Sequence, residues 1–155
     1  MLVIIRHARP SDIPAMTGLL GELFSLEADF EVDEEKQARG LARLLEQPGA
    51  CVLVAVDSGD VAGMVSIQPL ISTAQGGLVG MLEDLVVRRG SRGQGIGTML
   101  LDAAMRWAAG QGMTRLQLLA DRANARALDF YTAHGWRGTE LICLRAAEFS
   151  APAVA

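Results

Sequence analysis

A glycine-rich run next to arginines, residues 88–98, is the segment of this chain best suited to binding a ligand. Glycines recur at 90, 93, 95 and 97, and Arg92 stands among them. Glycine accepts positive φ and lets backbone N–H groups come close to a ligand. The apolar residues that follow have helical spacing, and a helix N-terminus carries unsatisfied donors and partial positive charge. The predicted ligand is therefore a phosphate or pyrophosphate.

The spacing of the run excludes two other phosphate-binding motifs. A P-loop needs a lysine directly after its second glycine, and Lys36 is the only lysine in the chain. The pattern G-x-G-x-x-G fails because Thr98 and Leu100 occupy the positions where its last glycine would stand. The run Arg92-Gly93-Gln94-Gly95-Ile96-Gly97 fits the form R/Q-x-x-G-x-G/A instead.

Two adjacent carboxylates and a tyrosine could transfer protons. Glu83 and Asp84 interrupt the apolar run 78–87, which has the composition of a strand. In a regular strand they point to opposite faces, and a bulge would change that. Further along, Asn124 and Tyr131 are seven residues apart on one face of a predicted helix, a separation of roughly 10 Å.

The elements that position these residues follow from periodicity and from turn residues. Helices are predicted from Ser11 and Asp12 to about Leu23, after the acidic segment 27–35 to about Pro48, from 96 to about Gly110, and over 123–134. Strands are predicted at 2–5, 50–56, 61–68, 78–87, 116–120 and 141–144. The order β-α-α-β-β-β-α-β-α-β predicts an α/β fold with one mixed sheet and helices on both faces. We assign residues 1–149 to a single domain and 150–155 to a frayed tail.

Composition narrows the class of protein. A formal net charge of −4 argues against nucleic-acid binding through phosphate neutralisation. No apolar run approaches the length of a membrane span, so no membrane partner and a cytoplasmic location are expected. Cys51 and Cys143 lie in apolar runs and are predicted to be buried thiols in strands. His7 and His134 have no partner at metal-ligand spacing, so no metal is expected.

Three motifs in order resemble the GNAT superfamily of N-acetyltransferases. The run 92–97 resembles its pyrophosphate signature, and Met81–Val87 looks like its fourth strand. The run from Asn124 to Trp136 is similar to its second motif, N-x-x-A-x-x-F-Y-x-x-x-G-[FW]. The spacing of Ile4, Arg6, Ala8 and Asp12 also looks like the family's opening, so the resemblance covers residues 2–145.

The resemblance implies that acetyl-CoA is the cosubstrate of an acyltransferase. The family splays its fourth and fifth strands, and the pantetheine arm of coenzyme A adds to the strand edge. Asn124 would reach a pantetheine amide, and Tyr131 would lie against the thioester and protonate the departing thiolate. The remaining cofactor-binding residues implied are Leu85, Val86, Val87, Arg92, Gly93, Gln94, Gly95, Ile96, Gly97 and Thr98.

The amine acceptor must lose a proton before it attacks, because a lysine-like ammonium has a pKa of about 10.4. Glu83 stands where many family members carry a strand glutamate and is the first candidate base, with Asp84 as the alternative. Either carboxylate could instead be a structural hydrogen-bond acceptor. His7 is a weaker candidate.

The acceptor itself is not fixed by the sequence. Six carboxylates lie between Glu27 and Glu35, where the family varies its acceptor-binding segment: Glu27, Asp29, Glu31, Asp33, Glu34 and Glu35. They could attract a cationic amine, or form a solvated loop that favours the next helix. Two other functions stay open: a non-catalytic acyl-CoA sensor, and an acyltransferase with another acyl donor or a hydroxyl acceptor. Homodimers are common in the family, and the sequence neither favours nor opposes one.

Overall fold

The structure is a computed structural model that describes residues 2–27, 31–146 and 149. The chain divides into two compact units, residues 1–118 and 119–155. In the described residues, the first unit has a five-stranded sheet and three α-helices, and the second has one α-helix. The predicted tail, 150–155, lies outside the described residues, so the assigned domain limits stay a prediction.

The first unit contains β1 (Val3–His7), α1 (Ile13–Phe24), α2 (Glu34–Glu46), β2 (Cys51–Asp57), β3 (Asp60–Ser72), β4 (Gly77–Val87), α3 (Ile96–Gly110) and β5 (Leu116–Gln117). The second contains α4 (Ala125–Ala133). Short 3₁₀ turns at Pro10–Asp12 and Arg89–Ser91 precede α1 and α3.

The sheet is mixed, with strand order β1-β2-β3-β4-β5. Adjacent strands from β1 to β4 are antiparallel, and β5 runs parallel to β4. The ladder between β4 and β5 has two residue pairs, at Gly80 and Met81 of β4. On the side of β4 that faces β5, no strand in the described part of the chain pairs with residues 82–87.

Helices cover both faces of the sheet. On one face, Met64 of β3 belongs to a buried cluster with Met16 of α1 and Leu41 of α2. The preceding residue, Gly63, points the other way, where an added Cβ would lie 2.9 Å from Leu100 Cδ1 of α3. Successive residues of a strand point to opposite faces, so α3 packs opposite α1 and α2. The predicted α/β class with a mixed sheet is confirmed.

The ladder between β3 and β4 contains a bulge. Met64 pairs with Val86 and Ser66 pairs with Glu83, so Asp84 and Leu85 together face Val65. Asp84 has φ = +55°, a left-handed conformation that is uncommon for a residue with a side chain. The bulge that sequence reasoning allowed as an alternative to a regular strand is present.

The predicted last strand at 141–144 is wrong. The structure assigns residues 141–146 no strand, and Leu141 and Leu144 are each 85% exposed. An apolar run predicts burial, but a strand also needs a neighbouring edge for its backbone hydrogen bonds, and the run does not specify one. Cys143 is accordingly exposed, contrary to prediction, whereas Cys51 is buried in β2 as predicted.

Two other predicted elements are shorter than expected. The fifth strand ends at Gln117 rather than at residue 120, and Leu119 is 65% exposed. The last helix begins at Ala125 rather than at residue 123, because Asn124 caps its first turn. No helix in the described part of the chain is long and apolar enough to cross a membrane.

Candidate functional site

The glycine run forms an open turn that ends in the N-terminus of α3. Gly93 has φ = +75° and Gly95 has φ = +84°, and Gly95 is the residue that caps the helix. A Cβ added to either glycine would meet nothing within 4 Å, so the turn is open on that side. Ile96 is buried and anchors the first turn of α3 in the core. The backbone N–H groups of this first turn have no carbonyl partner within the helix, which fits an anionic ligand.

Arginines attach the turn to the end of β4. Arg92 Nε donates to the carbonyl oxygen of Val87 at 2.8 Å. Arg88 donates from its backbone N–H to the carbonyl oxygen of Ala62 at 2.7 Å, and its guanidinium donates to Ser91 Oγ at 3.3 and 3.2 Å. Arg92, predicted to bind the cofactor, thus also maintains the shape of the turn.

Glu22 of α1 is a part of this site that sequence reasoning missed. Its Oε2 accepts a hydrogen bond from the backbone N–H of Arg89 at 3.1 Å and lies 3.6 Å from Arg92 Nη2. Glu22 and Arg89 are 67 residues apart, and no motif spacing connects them. Only the packing of α1 against β4 brings them together, so the sequence carries no signal for this contact.

The two carboxylates of β4 have different environments. Glu83 is exposed, whereas Asp84 in the bulge is half-buried. Burial raises the pKa of Asp84 to about 7, with further contributions from repulsion by Glu83 and by Glu27. A carboxylate with this pKa exchanges a proton near neutral pH, as a general base must.

His7, the weaker candidate base, lies far from these carboxylates. It pairs with Leu53, which pairs with Val65, and Val65 faces the bulge. Three strand spacings therefore separate His7 from Asp84, or about 14 Å at 4.8 Å per strand. The Nδ1 of His7 instead lies 4.0 Å from the Sγ of Cys51. Burial raises the pKa of that thiol to about 12.

The other predicted cofactor-binding positions of the first unit are contiguous with the bulge and the turn. Val86 is buried and belongs to the core cluster beneath α1 and α2. Its neighbours Leu85 and Val87 are half-buried. In the turn, Gln94 is exposed, and Gly97 and Thr98 occupy the first turn of α3, half-buried.

In the second unit, α4 contains Tyr131, and Asn124 directly precedes the helix. Asn124 Oδ1 accepts from the backbone N–H of Ala127 at 3.1 Å, so the side-chain carbonyl caps the helix. The ring of Tyr131 lies 5.3 Å from that of Phe130 and 5.6 Å from that of Trp136, measured between centroids. These aromatic contacts limit the orientations open to the tyrosine. The roles predicted for Asn124 and Tyr131 in binding and catalysis stay predictions.

The acidic segment serves the fold in part. Asp33 caps α2, since its Oδ1 accepts from the backbone N–H of Lys36 at 3.1 Å, and Glu34 and Glu35 occupy the first turn. Carboxylates at these places stabilise a helix N-terminus. Asp29 lies outside the described residues. Glu27 acts on Asp84, as described above, which connects this segment to the bulge.

Among residues 2–27, 31–146 and 149, no group of three or more His, Cys, Asp or Glu side chains is placed to hold a metal ion.

Comparison with known proteins identifies the family. The model of the acetyltransferase (GNAT) family matches residues 16–136, which includes β4, the glycine turn and α4. The chain belongs to the GNAT acetyltransferase family. A GNAT relative, aminoalkylphosphonate N-acetyltransferase of Salmonella typhimurium, is 30% identical over 135 residues, covering 86% of this chain and 84% of its own. The resemblance seen in the sequence and the acyltransferase class inferred from it are confirmed.

Solved structures support the GNAT fold. A putative acetyltransferase from Agrobacterium tumefaciens has a TM-score of 0.79 at 23% identity, covering 92% of this chain and 99% of that one. A predicted acetyltransferase from Clostridium acetobutylicum, solved with acetyl-CoA, has a TM-score of 0.75 at 18% identity, covering 93% of this chain and 96% of that one. GNAT enzymes use acetyl-CoA, in keeping with the open turn described above.

Proposed function

We propose that this GNAT protein transfers the acetyl group of acetyl-CoA to a primary amine, with Asp84 as the general base. The observation that supports this most is the arrangement along β4. A carboxylate whose pKa is raised to about 7 sits in a bulge, and the same strand runs directly into the open anion-binding turn. One continuous segment thus offers a base at one end and a cofactor site at the other.

The chain's own groups fit coenzyme A. The turn offers the first-turn amides of α3 beside Gly93 and Gly95, whose missing side chains let a pyrophosphate approach closely. The edge of β4 after Met81 extends beyond its ladder with β5. A pantetheine arm has two amides that can add to such an edge as an extra strand would.

Two side chains are proposed to move protons. Bound acetyl-CoA supplies the thioester that the amine attacks. Asp84 accepts a proton from the ammonium form of the acceptor, which leaves a neutral amine able to form the new C–N bond as the C–S bond breaks. Tyr131 gives its hydroxyl proton to the departing sulfur, and the proton that the nitrogen loses passes to solvent. The products are an N-acetyl amide and the free thiol of coenzyme A, and both side chains then re-equilibrate with water.

Between the two carboxylates of β4, Asp84 is the better base. Glu83 is exposed to solvent, whereas Asp84 is half-buried. Its negative charge instead contributes to the raised pKa of Asp84. We therefore propose that the charge of Glu83 helps to keep the pKa of Asp84 raised and helps to attract a cationic acceptor.

The acceptor that we propose is a small amine that is cationic in bulk solution. Glu27 and Glu83 each interact electrostatically with Asp84, so an ammonium group would be drawn toward the base that deprotonates it. The Salmonella relative is named as an N-acetyltransferase of an aminoalkylphosphonate, a compound with an amino group.

A panel of amines tests the proposal. Each amine is incubated with acetyl-CoA and the purified protein, and release of the coenzyme A thiol is followed with a thiol reagent. At least one primary amine should release thiol in an enzyme-dependent way and yield an N-acetyl product by mass spectrometry. Coenzyme A binding without thiol release for any amine would favour a non-catalytic acyl-CoA sensor. Release with hydroxyl compounds alone would point to O-acyl transfer.

A further inference from the structure

Ser66 is a polar side chain in the centre of the sheet, and acetyl transfer as described so far does not use it. It lies on β3 between Val65 and Ile67, and all three residues are buried, with Ser66 only 1% exposed. Burying a hydroxyl costs free energy unless it is hydrogen-bonded. Its Oγ donates to the carbonyl oxygen of Glu83 at 3.2 Å.

This hydrogen bond lies at the edge of the bulge. Ser66 and Glu83 are the last regular pair before the register shifts to Met64 and Val86. The carbonyl of Glu83 belongs to the peptide group that joins it to Asp84, and Asp84 is the residue at positive φ. Ser66 therefore fixes the peptide plane that leads into the left-handed residue.

We propose that Ser66 is a positioning residue for the reaction: by holding the Glu83–Asp84 peptide, it aims the Asp84 carboxylate. The inference rests on the proposed role of Asp84 as the base. A left-handed conformation at a residue with a side chain persists only where its surroundings over-determine it. The bulge disrupts the backbone hydrogen bonds between β3 and β4 at this point. The side-chain donor of Ser66 on the facing strand therefore supplies part of the constraint that holds Asp84 in its left-handed conformation.

Among the described residues, two charges are found to act on Asp84. Glu83 on its own strand and Glu27 after α1 repel its carboxylate, and both effects favour the protonated form. The facing strand presents only uncharged residues at the bulge, Val65 and Ser66. On α1, Glu22 is bonded to the glycine turn instead. A change in the orientation of Asp84 would thus appear chiefly as a change in its exposure to water.

The test compares Ser66→Ala with a matched control. Thr17→Val also removes a buried hydroxyl bonded to a backbone carbonyl, that of Ile13 at 2.8 Å, but within α1. Ser66→Ala should lower kcat on the order of ten- to a hundredfold with little change in KM for acetyl-CoA, because the base is misplaced. The kcat/KM for the amine should fall at low pH as Asp84 becomes protonated, which gives the pH profile an acidic limb. In Ser66→Ala this limb should move to lower pH by about half a unit or more, since a less constrained Asp84 is better hydrated. Thr17→Val should leave the limb where it is.

Ser66→Cys keeps a side-chain donor, although the thiol is larger and donates more weakly, and it should shift both quantities in the same direction by a smaller amount. It replaces the alanine variant if that variant does not fold. Unchanged kcat and an unmoved limb in the folded Ser66 variants would overturn the inference. Asp84→Asn separates the two proposals: if it abolishes the limb while the Ser66 variants leave it intact, only the inference fails. If Asp84→Asn keeps the limb, Asp84 is not the base, and the inference about Ser66 falls with that role.

Discussion

The carboxylate of Glu22 accepts a hydrogen bond of 3.1 Å from the backbone N–H of Arg89, at the start of the glycine turn. This contact joins α1 to a turn in which added Cβ atoms at Gly93 and Gly95 would touch nothing. The space beside these glycines is open, so polar links of this kind help to set the shape of the turn.

Replacing Glu22 should therefore affect cofactor binding. Glu22→Ala should raise the KM for acetyl-CoA about threefold to tenfold with a smaller change in kcat, because one hydrogen bond to the turn is lost. Glu22→Gln keeps a side-chain carbonyl acceptor and should stay closer to wild type. Steady-state kinetics with acetyl-CoA varied would measure both. An alanine variant with unchanged KM would mean that the turn keeps its shape without α1.

Gly95 offers a test of the pyrophosphate site with a matched control. Gly95 and Gly112, at the two ends of α3, both have positive φ, +84° and +80°, and open space around an added Cβ. Alanine at either position should cost about 1–2 kcal/mol of stability from the left-handed conformation. Only Gly95→Ala should also weaken coenzyme A binding, by about tenfold or more, because its methyl group enters the cofactor's approach. Isothermal titration calorimetry on both folded variants decides this, and equal affinities would remove the assignment of the turn.

Tyr131→Phe tests the proposed acid. If Tyr131 protonates the departing thiolate, kcat should fall on the order of 10²-fold or more, with acetyl-CoA affinity nearly unchanged. The variant keeps the ring that packs against Phe130 and Trp136, so the aromatic contacts survive. Phe130→Leu is a useful companion, since it disturbs the same cluster but leaves the hydroxyl. A Tyr131→Phe rate within about twofold of wild type would assign the tyrosine to packing.

Glu27 tests the attraction of a cationic acceptor. Glu27→Gln should raise the KM for the amine at low salt and reduce its dependence on ionic strength, because the Debye length falls from about 10 Å at 0.1 M to about 3 Å at 1 M. It should also move the acidic limb to lower pH, since Glu27 contributes to the raised pKa of Asp84. Glu34→Gln, in the first turn of α2, is the control within the same segment. Identical amine KM values for wild type and Glu27→Gln would show that the segment does not guide the acceptor.

The sequence predicted most of the fold because periodicity and turn residues agreed along the first 118 residues. Helical spacing after residue 96 and glycine at 95 together located the start of α3. The prediction failed at 141–144, where an apolar run indicates burial but cannot specify the partner that a strand requires.

The candidate site was predictable only in part. Motif spacing located the turn and the Glu83–Asp84 pair, because both are local in the sequence. Strand alternation could not decide which of the two carboxylates is buried, since that depends on a bulge opposite Val65. Sequence reasoning missed Glu22 because helix packing brings it to Arg89, 67 residues away. It missed Ser66 because strand pairing brings it to Glu83, 17 residues away.

The pH dependence of kcat/KM for the amine tests the central claim most directly, compared among wild type, Asp84→Asn and Glu83→Gln. The pKa of Asp84 is raised, so the base is protonated and inactive at low pH, and activity should rise as pH increases through about 7. The acceptor's own ionisation lies near 10.4 for a lysine-like amine, well separated from this limb. Asp84→Asn should lower the rate on the order of 10²-fold or more and abolish the limb near neutral pH. Glu83→Gln should keep the limb and move it to lower pH, because one repulsive charge is removed. An Asp84→Asn enzyme that keeps both its rate and the limb would contradict the account.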